Sequence, residues 1–122
     1  MLRAILPKPP SVNHLYGFTS RGGFARSYIT KQGKQWFSDA GYLLKSQVKI
    51  AEPIQTEVAV TFWLYTCRFQ DASNLEKALF DLLEEVQIIK NDVQIIEHHS
   101  YTKKVAHRKD EKVVIALIPL LK

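Results

Sequence analysis

Apolar and polar positions alternate along this chain with two different periods. Leu2 to Leu6 is a short apolar run that stops at Pro7, a strand in prospect. From Lys31 to about Ala51 the period becomes helical, with Phe37, Ala40, Leu44, Val48 and Ala51 on one stripe. Thr30 stands where an N-cap belongs, and Glu52-Pro53 closes the segment. Gly33 and Gly41 lower its propensity. Lys31, Lys34, Lys45 and Lys49 make a solvated face, and Trp36 joins the core. From Glu57 to Cys67 the period is two: Val58, Val60, Phe62 and Leu64 alternate with Ala59, Thr61, Trp63 and Tyr65. Both sets are largely apolar, which predicts a central strand covered on both sides, or on one side by a second subunit.

The next stretch, Arg68 to Glu97, returns to the helical period. Leu75, Leu79, Leu82 and Val86 form the buried stripe, while Asn74, Lys77 or Ala78, and Asp81 lie on another face. Asp71 precedes this helix, and Asn91-Asp92 reads as a turn after it. A helix packed between strands can bring Asp71 and Asp92 close. Two carboxylates with a lysine suit a divalent metal and a phosphodiester; spacing alone accommodates a solvated, ordinarily capped helix equally well. Ser73 and Glu76 have the spacing of a capping box. Val93 to about Lys103 predicts another strand. His98 and His99, adjacent on it, point to opposite faces and do not share a metal. Lys103 to Asp110 is a basic turn, and Val113 to Ile118 is a last strand stopped by Pro119. The order β, α, β, α, β, β predicts a single α+β domain over residues 1–122, a mixed sheet of about four strands with two α-helices.

Between the first strand and the first helix lies a loop marked by Pro9-Pro10, Ser11, Asn13 and Gly17. It carries His14, Tyr16, Phe18, Arg21-Gly22-Gly23-Phe24 and Arg26. Guanidinium groups and aromatics on a glycine-rich loop suit phosphates and unstacked bases; a hairpin with its aromatics tucked under the sheet accounts for the same residues.

Charge changes the picture more than composition does. The net charge of +5 is unevenly spread. Residues 1–53 hold eight Lys or Arg against two acids, residues 54–102 hold three against eight, and the last twenty hold six against two. An acidic centre between basic arms suits a protein that grips DNA at its periphery and gathers carboxylates at the point of chemistry; chance clustering on a solvated surface gives the same sums. The single cysteine, Cys67, reads as a buried, reduced thiol. No apolar run is long enough to span a membrane, and the prolines at 7, 9 and 10 interrupt any secretory signal, so the expected location is the cytoplasm. A Gly-rich phosphate loop, zinc-ligand spacing and a Gly-x-Ser-x-Gly elbow are all missing from the sequence.

Asp71, Asn74, Leu75, Lys77, Asp81 and Asp92 together resemble the signature of the RusA family of Holliday junction resolvases. Pro9-Pro10-Ser11-Val12-Asn13 is similar to that family's opening motif, so the resemblance covers nearly the whole chain. It implies a magnesium-dependent endodeoxyribonuclease that resolves four-way DNA junctions by paired nicks, in recombination and repair, as a homodimer. Asp71, Asp92 and Asp81 would be the metal ligands, with Lys77 and Asn74 completing the catalytic set. Asn13, Arg21, Arg26, Lys103, Lys104, Arg108 and Lys109 would contact DNA. Ser73 stands where the family pattern often has a second Asp. A hydroxyl binds a hard cation less well than a carboxylate, so the alternative is a non-catalytic protein that binds branched DNA. An RNA-binding module is more distant, since the aromatic sheet motifs are missing.

Overall fold

In a computed structural model, which describes residues 1–21, 24–68 and 75–120, the chain folds as an α+β domain. Its strands are β1 (Leu2–Leu6), β2 (Tyr16–Arg21), β3 (Phe24–Ile29), β4 (Val58–Thr66), β5 (Ile95–Lys104) and β6 (Lys112–Pro119). The helices are a single turn, α1 (Val12–Leu15), and two longer ones, α2 (Lys31–Gln47) and α3 (Glu76–Glu85). Four strands form a mixed sheet in the order β1-β6-β4-β5, and β2 and β3 make a separate hairpin. β6 runs antiparallel to both β1 and β4, whereas β4 and β5 are parallel. Parallel neighbours need a crossover, and α3 supplies it.

One face of the sheet carries the core. Val58, Val60, Phe62 and Leu64 of β4 are fully buried with Val113, Ile115 and Leu117 of β6 and with Phe37, Ala40 and Leu44 of α2. Leu75, Leu79 and Leu82 close the core from α3 as the apolar stripe predicts, with Val86 partly buried beside them. Ala78 belongs to this buried side and not to the polar face. Covering of β4 on both faces is not met within one chain: Ala59, Thr61, Trp63 and Tyr65 are only partly buried. On that outer side Trp63 stacks on Tyr101, Lys112 lies over Tyr65, and Ile5 and Ile118 are exposed.

Thr30 caps α2 as expected, its hydroxyl accepting from the Gly33 N–H at 3.0 Å. The same hydroxyl donates to the carbonyls of His14 and Leu15, which pins the start of α2 to the end of α1. Gly33 is needed at this crossing, because a Cβ there would collide with the Leu15 carbonyl oxygen. α2 ends at Gln47, four residues short of the expected Ala51. The Gln47 amide bonds both the N–H and the carbonyl of Ile5, satisfying the open edge of β1, and Val48 turns to extended backbone and enters the core. Ala51 is exposed. Trp36 is buried as expected, with its indole N–H donating to the Pro7 carbonyl.

The end of α3 is a Schellman motif: the Ile88 N–H reaches the Leu83 carbonyl at 2.9 Å and the Gln87 N–H reaches Glu84 at 3.1 Å. This requires a left-handed residue, and Gln87 supplies it at φ 63°. Gln87→Gly is therefore expected to raise stability by about 0.5 kcal/mol, less than the full glycine advantage because the Gln87 amide also donates to Glu84. Urea denaturation measures it.

β5 begins at Ile95, two residues later than the apolar run suggests. Asn91 and Gln94 form a reciprocal capping box around a 3-10 turn at Asp92–Gln94, and Gln94 also donates to the carbonyls of Ile54 and Thr56. At its other end β5 closes near the expected Lys103, its pairing with β4 running to Thr66↔Lys104 and taking in the first two residues of the basic turn. Only Arg108–Asp110 form a separate 3-10 turn.

Candidate active site

The exposed side of α3 carries a compact polar group. Lys77 and Asp81, one helical turn apart, pair at 3.1 Å through Oδ2. Tyr16, at the start of β2, donates its phenol to the same oxygen at 3.0 Å, and the Lys77 ammonium lies 4.4 Å from the centre of its ring. Burial of Tyr16, followed by its bond to Asp81 and the charges of Asp81 and Glu85, pushes the phenol well above its ordinary value. It stays protonated and holds Asp81 as a donor. Lys77 is 65% exposed, so its pairing with Asp81 contributes little to stability and its charge faces outward.

Asp92 opens the 3-10 turn beyond α3 and is exposed. Its N–H donates to Glu84 Oε1 at 3.2 Å, which ties the turn to the helix one turn beyond Asp81. Asp71, Ser73 and Asn74 lie outside the described residues. Asp92 precedes β5 at the end of the sheet where β4 begins. The start of α3 is fixed part-way along β5, where Glu76 pairs with His98 at 3.1 Å and Phe80 packs edge-on against the same ring. Among the described residues no three carboxylate, histidine or cysteine side chains gather closely enough to hold a metal. His99 pairs instead with Glu97 on the other face, as the alternation of the two histidines predicts.

Sequence reasoning missed a second polar group, at the end of β4. Glu111 Oε2 accepts from Lys8 Nζ at 3.2 Å, from the Thr66 hydroxyl at 3.0 Å and from the Cys67 N–H at 2.9 Å. Lys8 also donates to Thr66. The Cys67 N–H, helped by Thr66 and Lys8, holds the Glu111 carboxyl below its usual range. This group fixes the point where the chain leaves β4 toward Asp71. Glu111 lies just past the basic turn that the sequence marks out, and nothing local signals a contact across 44 residues. Tyr16 belongs to the loop whose aromatics suit either DNA contact or a tucked hairpin; its ring is buried and it opens the β2–β3 hairpin, which fits the second. Cys67 is free and only partly buried.

The candidate DNA-contacting residues lie on several elements. Asn13 lies in α1, Arg21 ends β2, and Arg26 sits on β3 opposite Thr19. Lys103 and Lys104 are adjacent on β5 and so point to opposite faces, while Arg108 and Lys109 occupy the next turn. Lys104 shares a cavity of about 330 Å³ with Thr66, Arg68 and Thr102.

The chain belongs to the RusA family of endodeoxyribonucleases. The family described as "Endodeoxyribonuclease RusA" matches residues 7–118. A relative from Aquifex aeolicus, named crossover junction endodeoxyribonuclease RusA, is 36% identical over 93% of this chain and 86% of its own length. A second, of the same name, from Enterobacteria phage 82 is 27% identical over 76% of this chain and 75% of its own. The resemblance carried by the sequence motifs is thereby established, and with it the enzyme class.

Proposed function

We propose that this protein resolves four-way DNA junctions by paired nicks in a magnesium-dependent reaction, serving recombination and repair in the cytoplasm. The observation that carries the reading is the Lys77–Asp81–Tyr16 group on the exposed face of α3, between Asp71 and Asp92 in sequence. The names of the two relatives, crossover junction endodeoxyribonucleases, supply the substrate class. No helix among the described residues is long and apolar enough to cross a membrane.

The donor chemistry fits a hard cation: the candidate ligands Asp71, Asp92 and Asp81 are all carboxylates, and Asp92 is exposed. When bound, magnesium neutralises charge on the phosphate oxygens and makes water a better nucleophile. Lys77, outward-facing and held over Tyr16, stabilises charge on the leaving oxygen or a non-bridging oxygen. Tyr16 keeps Asp81 oriented, and Asn74 positions the segment that carries Asp71.

Paired nicks need two equivalent sites, which a two-fold homodimer provides. The uncovered outer face of the sheet, with Trp63, Tyr101, Ile5 and Ile118, is the surface we assign to the second copy. Sedimentation should give the mass of two chains. The functional test is a synthetic four-way junction incubated with and without magnesium. Symmetric nicks that require the metal support the reading. Tight junction binding without nicks at any magnesium concentration would instead make this a non-catalytic binder, with Ser73 marking the lost ligand.

A further inference from the structure

We propose that Arg68 and Lys104 form a subsite for a single phosphate group, distinct from the Arg108 turn. The inference rests on the junction-nuclease reading and deepens it, the phosphate being one of the DNA backbone.

The two cations stand on neighbouring strand ends. Thr66 pairs with Lys104 in the parallel register, and the Val105 N–H donates to the Thr66 carbonyl at 3.0 Å, so the two strands are locked together where they leave the sheet. Arg68 follows two residues after Thr66, beyond the Cys67 N–H that Glu111 holds. Together with Thr102, these residues line the cavity at the sheet's end. At roughly 30 Å³ per water molecule it has room for a phosphate group and part of its hydration shell.

What sets this place apart is that two cations, Arg68 and Lys104, line one concavity. Like charges at a shared site repel unless an anion lies between them. A guanidinium and an ammonium lining one cavity suit a phosphate, which can accept charge-assisted bonds from both. Arg68 precedes Asp71 by three residues, at most about 11 Å of extended chain. A phosphate held here therefore belongs to the nucleotides adjoining the proposed point of cleavage.

The test uses the full chain, Arg68→Gln, Lys104→Gln, the double variant and Lys49→Gln as a remote control. Affinity for a synthetic four-way junction is measured from about 50 to about 200 mM salt, the range in which phosphate contacts separate clearly. Two cations on one phosphate predict that each single variant flattens the log–log salt slope, and that the double variant flattens it by about 0.9 in all. A loss near twice that, about 1.8, would place the residues on separate phosphates and overturn the single subsite. Slopes equal to the control in all three variants would overturn it as well. Inorganic phosphate, titrated into the DNA-free protein and followed by ¹H–¹⁵N shifts at Arg68 and Lys104, supplies an independent arm. Saturable shifts lost in the double variant support the subsite. The same shifts with unchanged junction slopes would reassign it to a free anion and overturn the DNA source. If the wild-type protein binds no junction, the functional reading falls, and the phosphate arm alone still decides whether the cavity holds the anion.

Discussion

Asp92→Asn should abolish junction cleavage, by more than about 100-fold, while junction binding stays intact. The amide keeps the size of the carboxylate and the N–H bond to Glu84 that fixes the turn, so folding is undisturbed. What it removes is a charged oxygen donor for a hard cation. Asp71→Asn should behave in the same way. Binding measured by gel shift may be compared directly with single-turnover cleavage at saturating magnesium. Removing a negative charge that faces phosphate should tighten binding slightly, an effect a simple loss of folded protein would reverse. Cleavage at the wild-type rate by either variant would remove that aspartate from the metal site.

Glu111→Ala should cost about 2–4 kcal/mol, the largest stability loss expected from any partly exposed charged residue here. Its side chain is only 18% exposed, and its removal leaves the Lys8 ammonium, the buried Thr66 hydroxyl and the Cys67 N–H without their common acceptor. The pH dependence identifies the cause. The folded carboxyl titrates below its unfolded counterpart, whose value is about 4.3. Its stabilising contribution is thus complete above the unfolded value and drains away as pH falls through the folded one. Urea midpoints should fall more steeply with acid in the wild type than in Glu111→Gln, which keeps an acceptor but loses the charge. Parallel slopes would show that Glu111 contributes shape alone.

Local patterns were the most legible part of this molecule. The alternation in β4, the leucine stripe of α3 and the Thr30 cap each arise from forces within one element, and the structure contains all three. Termini of elements were less so. α2 stops early because Gln47 turns to the β1 edge, and β5 starts late because Gln94 holds Ile54 and Thr56; both causes lie far away in sequence. The candidate site divides in the same manner. Lys77 and Asp81 are a helical pair and can be read from spacing, whereas Tyr16 and Glu111 meet their partners across 65 and 44 residues. The fold could be inferred from periodicity, but these two partners could not, because neither tyrosine nor glutamate carries a local signal of what it will touch.

The position of β6 also bears on how the sheet is assembled during synthesis. It is the last of the six strands in chain order, yet it lies between the first and the fourth. Until Pro119 has left the ribosome, β1 lacks its Leu2↔Leu117 to Leu6↔Val113 pairing and β4 exposes a full edge. The nascent chain can form the α2 helix and the β4-α3-β5 unit early, but it must keep an apolar slot open for a strand not yet made. Such a slot can accept the wrong strand, including β6 of another chain. Any chaperone that shields β4 until β6 is made should therefore raise soluble yield.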